Sequence, residues 1–127
     1  MAQVILNVLD CPDGELSILI EDDKGIAKLN LKYLQRKGPT NVIAFPMRDE
    51  KSPCVNPDIL GDVVISVETA EREGKEAGTG LKRRVAELLI HGILHLFGYD
   101  HEKNSYQAKK MEKKAGEILK IVEGIEL

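Results

Sequence analysis

Residues 81–101 read Leu-Lys-Arg-Arg-Val-Ala-Glu-Leu-Leu-Ile-His-Gly-Ile-Leu-His-Leu-Phe-Gly-Tyr-Asp-His, and this stretch holds every histidine of the 127-residue chain. The pattern predicts a helix from Leu81 to Phe97, with Val85, Leu88, Leu89, Ile93 and Leu96 along one apolar side. His91 and His95 are four residues apart within it, so they lie about 40° apart around the axis, one turn above the other, where two imidazoles can hold one ion. Gly98 can take φ > 0 and end the helix, and the chain can then turn back to bring His101 to the same ion. Three imidazole ligands leave a tetrahedral ion with one open position, the arrangement of a catalytic rather than a closed structural zinc. One ion per chain is expected, zinc or another divalent transition metal such as nickel, copper or cobalt.

Upstream of this helix, Val4 to Leu9 has the apolar spacing of the end of a short helix, and Pro12-Asp13-Gly14 is a turn. Leu16 to Ile20 reads as a strand. Glu21-Asp22-Asp23 places acids at the start of a helix with Ile26, Leu29 and Tyr33 inward, ended by Gly38-Pro39. Val42 to Phe45 and Leu60 to Ile65 are strand candidates, separated by a loop containing Pro53 and Pro57. Glu68 to Ala77 is helical in composition and is broken by Gly78-Thr79-Gly80. A last helix runs from Asn104 or Ser105 to Val122, with Ala108, Met111, Ala115, Ile118 and Leu119 inward and its lysines offset by acids. These elements, with only about three strands among them, predict a single α+β or mixed α/β domain over residues 1–127, with a three-histidine site on its most regular helix. The order of the strands does not follow from the sequence.

Composition narrows the function. No apolar run approaches the roughly 20 residues needed to span a bilayer, and Met1-Ala2-Gln3 opens no targeting peptide, so a cytoplasmic protein without a membrane partner is expected. Cys11 and Cys54 form no C-x-x-C pair and read as free thiols. The net charge of −3 excludes a protein that coats nucleic acid with its whole surface. Lys24 to Lys51, however, holds seven basic residues and two acidic ones. Lys24, Lys28, Lys32 and Arg36 recur every four residues, a helical stripe that reads either as a solvated face or as a contact for a phosphate backbone.

The histidine spacing, with Gly98 between the second and third, is that of the metzincin protease motif H-E-x-x-H-x-x-G-x-x-H. Here the general-base glutamate is replaced by Gly92, which disfavours peptide hydrolysis by that route. The whole run His91 to Glu102, H-G-I-L-H-L-F-G-Y-D-H-E, resembles the bacterial YbeY family, metal-dependent endoribonucleases of ribosomal RNA maturation. Leu60-Gly61-Asp62-Val63-Val64-Ile65-Ser66 is similar to that family's L-G-D-I-V-I-S strand, and Pro39 to Pro46 to its P-T-D/N-V-L-S-F-P. Leu29-Asn30 and Tyr33 fall where the family has L-N-x-x-Y.

The resemblance implies an α+β fold with a mixed sheet of about three to four strands flanked by helices, and a zincin-like site on a central helix in which zinc is held by His91, His95 and His101 in a cleft. It also implies hydrolysis of single-stranded RNA in 16S ribosomal RNA 3′-end maturation, with the small ribosomal subunit and its assembly factors as partners and no DNA. Two departures stand out. Family members usually begin with an additional strand and a longer first helix, so one edge strand fewer is expected. The family also tends to carry an arginine directly after the tyrosine of L-N-x-x-Y, where this chain has Leu34. Arg36 and Arg48 are the candidates to replace it as catalytic cations, although two residues along a helix would put Arg36 about 200° round, on nearly the opposite face.

The metal is expected to acidify a water or polarise a phosphoryl oxygen, with basic side chains neutralising the phosphate. Asp100 and Glu102 are candidates to orient a ligand imidazole, Glu102 alternatively capping the last helix. Asp62 reads as a structural carboxylate or a weaker site residue, and Phe97 and Tyr99 as core. A non-catalytic ribosome-assembly factor with a structural zinc and a metallopeptidase using some other base are the alternative functions.

Overall fold

The computed structural model describes residues 1–47, 59–100 and 104–126. In chain order it has α1 (Ala2–Val8), β1 (Glu15–Glu21), α2 (Asp23–Leu34), β2 (Val42–Pro46), β3 (Ile59–Ser66), α3 (Val67–Ala77), α4 (Leu81–Leu96) and α5 (Ser105–Glu126). The strands form one mixed sheet in the order β1-β3-β2, β3 running parallel to β1 and antiparallel to β2. The chain is thus α+β, with three strands and five helices among the described residues. None of those helices is long and apolar enough to cross a membrane.

Period-two alternation along β3 decides what lies on each face of the sheet. Val63 and Ile65 join the main core with Ile90, Ile93 and Leu94 of α4, Ile5 of α1 and Ile118 of α5. Val64, between them, points to the other face and packs with Ile43 and with Ile26 of α2. Helix α4 comes close to the sheet because residue 92 has no side chain: a Cβ there would stand 2.6 Å from Val63 Cγ1 and 3.3 Å from Val42 Cγ2. The glycine inside the histidine motif is therefore a packing requirement. It also explains why no glutamate stands there.

The helix starts are capped by local side chains. Gly25 N–H donates to Asp22 Oδ1 (2.6 Å), Thr69 N–H to Ser66 Oγ (3.3 Å) and Gln107 N–H to Asn104 Oδ1 (2.8 Å). Asn104 therefore fills the capping role for α5 that the sequence offered to Glu102, a residue outside those described. Beyond its cap, α5 continues past Val122 to Glu126.

Three expectations are corrected. Helix α2 stops at Leu34, short of Gly38-Pro39, because Gln35 takes a left-handed conformation (φ 53°). Tyr33 is half exposed instead of inward. Cys11 is disulfide-bonded instead of a free thiol. The segment expected to be a loop, with Pro53 and Pro57, lies outside the described residues, as does Arg48.

Asp23 ties the start of α2 to the start of α3. It accepts from Ser66 Oγ (2.6 Å), from Thr69 Oγ1 and from Arg72 Nη1 (2.8 Å). These donors, the Ser66 hydroxyl foremost, then Thr69 and Arg72, lower its pKa from 3.8 to about 2. A carboxylate held below its unfolded value stabilises the fold fully above pH 4, and this contribution is lost as pH falls toward 2. The difference in melting temperature between the parent and Asp23→Asn is accordingly expected to be largest above pH 4 and to shrink between pH 4 and 2, measured by circular dichroism.

Alanine normally favours a helix interior over glycine by about 1 kcal/mol. At position 92 the contact with the stiff, fully buried Val63 reverses that sign. Gly92→Ala is expected to lower unfolding free energy by about 1–3 kcal/mol in urea denaturation, as overpacked cores do. A more stable Gly92→Ala would show that the approach of α4 is not limiting.

Candidate active site at the edge of strand β2

Among the described residues β2 pairs with β3 alone, and a cleft runs along its other edge. It measures ≈ 580 Å³ and takes its lining from three places. Helix α4 contributes His91, Gly92 and His95; β2 contributes Val42, Ile43 and Ala44; and the end of α2 with the following loop contributes Asn30, Leu34, Arg36, Lys37 and Pro39 to Asn41.

The helical spacing brings the two histidines together as expected. Their Nε2 atoms are 3.1 Å apart and their ring centroids 4.6 Å, with the planes at 70°. Two nitrogen donors on one tetrahedral zinc, with bonds of about 2.0–2.1 Å, would stand about 3.3 Å apart. The pair therefore suits a shared divalent ion in both spacing and donor chemistry. Among the described residues no third histidine, cysteine or carboxylate completes a ligand group, and His101 and Glu102 lie outside them. Gly98 has the positive φ expected of it (91°), so the chain does turn where the motif needs it to. Asp100 lines a smaller hollow of ≈ 320 Å³ on which His95, Gly98, Tyr99 and Gln107 also border. Phe97 and Tyr99 pack partly buried against the main core.

The basic residues separate into two sets. Lys24, Lys28 and Lys32 stand on α2 and are exposed, and none of them lines the cleft. Arg36 does line it, together with Lys37. The opposite-face argument fails because the helix ends at Leu34: the left-handed Gln35 redirects the chain, so positions 34 and 36 border the same cleft. Among the described lining residues there is no carboxylate, so the cleft is cationic. Arg48 lies outside the described residues.

Asn30 is the residue whose role the sequence did not disclose. It is buried, its carbonyl accepts from Arg36 N–H (3.2 Å), and its Nδ2 donates to Gly38 O (3.0 Å). One residue thus holds both ends of the turn that carries Arg36 and Lys37, Arg36 through its backbone carbonyl and Gly38 through its side chain. The signal was present in Leu29-Asn30 as a polar residue at an inward helical position beside Ile26, which demands a partner.

Comparison with known proteins follows the same geometry. The family model described as Endoribonuclease YbeY matches residues 1–123. A Geobacter metallireducens protein named Endoribonuclease YbeY is 47% identical over 124 residues, 97% of this chain and 83% of the relative. An Aquifex aeolicus protein of the same name is 43% identical over 118 residues, covering 93% of this chain and 77% of its own length. The solution structure of a Thermotoga maritima protein superposes with a TM-score of 0.71 at 25% identity, over 97% of this chain and 79% of that one.

Replacing Asn30 by alanine would leave Gly38 O without its donor. A loss of about 1–2 kcal/mol is expected, as for a hydrogen bond to a buried group. Hydrogen–deuterium exchange should rise at residues 35–38 and stay unchanged within α4. Equal loosening of α4 would mean that Asn30 supports the core rather than the turn.

Proposed function

The chain belongs to the endoribonuclease YbeY family, and on that footing we propose that it is a hydrolase cutting single-stranded RNA in the maturation of the 3′ end of 16S ribosomal RNA. The observation that carries this reading is the meeting of a histidine pair with Arg36 and Lys37 in a cleft whose described lining holds no carboxylate. Such a cleft attracts a phosphodiester and repels acidic peptides.

His91 and His95, with His101 as third ligand, are the residues that would hold the metal, zinc foremost. A divalent ion bound there supplies Lewis acidity and positive charge at the scissile phosphate. Arg36, fixed by the Asn30 clamp, contributes a planar set of donors matched to two phosphate oxygens, and Lys37 a second cation. Leu34 leaves its family's usual arginine position apolar, and Arg36 supplies a guanidinium to the same cleft. Lys24, Lys28 and Lys32 extend the positive field on the outside of α2, where longer RNA would pass. The absence of any side chain at Gly92 speaks against a metallopeptidase, since the packing of α4 leaves no room for the glutamate base. The small ribosomal subunit and its assembly factors are the proposed partners, and the cytoplasm the working compartment.

Small-subunit ribosomal RNA incubated with metal-analysed protein is expected to be cut. Cutting should be abolished in His95→Ala and slowed about tenfold or more in Arg36→Ala, the scale on which lost transition-state donors are felt. RNA left intact by a folded, metal-loaded parent that still binds it would instead identify an assembly factor in which the metal only holds the fold.

A further inference from the structure

A second groove opens on the face of the sheet that α2 covers. Leu19 of β1, Leu29 and Tyr33 of α2, Phe45 of β2, Met47, and Asp62 and Val64 of β3 line ≈ 370 Å³. Its walls are apolar and open to solvent: Tyr33 is 53% exposed, Met47 62% and Leu19 40%. The fold does not need these side chains in water, because Ile26, Ile43 and Val64 beneath them already close the core on this face. Clustered exposure of this kind marks a binding surface.

Two observations say what covers it. The groove neighbours the histidine cleft: on α2, Leu29 and Tyr33 of the groove directly precede Asn30 and Leu34 of the cleft, and Phe45 of the groove follows Ile43 of the cleft on the same face of β2. A strand of RNA whose phosphate lies at Arg36 and Lys37 therefore has this groove at its side. The groove also has the chemistry of a base site. Tyr33 meets Phe45 edge to face, centroids 5.6 Å apart and planes at 71°, which fixes the tyrosine ring while leaving much of it open. Lys32 Nζ stands over one face of the Tyr33 ring, 5.2 Å from its centre, bringing a cation to the site. Asp62 pairs across the strands with Phe45 and is the one carboxylate among the lining residues, an acceptor for a base amino group.

We propose that the Tyr33–Phe45 groove is a nucleobase subsite, in which a base of single-stranded RNA stacks on Tyr33 while the neighbouring backbone lies in the histidine cleft. The proposal rests on the RNA-cleaving reading above. Stacking on aromatic side chains requires an unpaired base, so the groove provides a physical reason for single-strand preference. A base with an amino group, cytosine for instance, satisfies Asp62.

The chain contains no tryptophan, so Tyr33→Trp introduces a single indole whose emission reports stacking. An RNA octamer of cytidylate is expected to quench that emission, and an abasic octamer of equal charge is not. Tyr33→Ala should bind the cytidylate octamer about tenfold more weakly, with abasic binding unchanged, and Tyr33→Phe should retain the parent affinity. If the parent binds and cuts RNA while Tyr33→Ala binds both octamers like the parent and the indole stays unquenched, the subsite is wrong and the nuclease reading survives. That result would leave the groove to a protein partner. If the parent neither binds nor cuts RNA, the nuclease reading falls and takes the subsite with it.

Discussion

The close approach of α4 to the sheet is the constraint on which the rest of the structure depends. With Cβ at position 92 excluded by Val63 and Val42, the helix lies flat against the strands, and the rotation that seats Gly92 and Ile93 in the core turns His91 and His95 toward the outer edge of β2. A single sterically demanding residue type would lift the helix and displace both imidazoles together. The core on the α4 side and the orientation of the histidines are thus two outcomes of one contact.

The cation side of the cleft is held in a different way. The position of Arg36 comes from the end of α2, where Gln35 adopts a left-handed conformation and Asn30 bonds the turn at both ends. A further polar junction, Asp23 with Ser66, Thr69 and Arg72, pins the other end of the same helix to α3. Helix α2 is therefore anchored by hydrogen bonds at its two termini and by Ile26 in its middle, so that the turn projecting from it has a defined place opposite the histidines.

Much of this was legible in the chain. The helix of residues 81–97 and the pairing of His91 with His95 follow from 3.6-residue periodicity, and β3 from a short run of β-branched residues. The order β1-β3-β2 was not legible, because pairing between distant strands is decided by packing on two faces at once. Arg36 was misplaced for a local reason: no glycine or asparagine announces the end of α2, and a glutamine with positive φ is rarely anticipated. Tyr33 has the spacing of a core residue yet remains half exposed, since the sheet beneath it is already filled by Ile43 and Val64. The disulfide at Cys11 gave no sequence signal beyond an even number of cysteines.

Strand β3 is the last of the three to be synthesised and the one with which both others pair. A chain emerging from its exit channel consequently cannot form any of this sheet until residue 59 is free, so β1 and β2 must wait without hydrogen-bonded neighbours in it. Helix α4 follows still later, and its glycine-lined face has no surface to dock on before β3 is seated. The two imidazoles and the guanidinium of Arg36 can meet only in a nearly completed domain. Chains cut short before α4 thus lack the assembled cleft, and the topology itself delays the chemistry until the segment carrying His91 and His95 has been made.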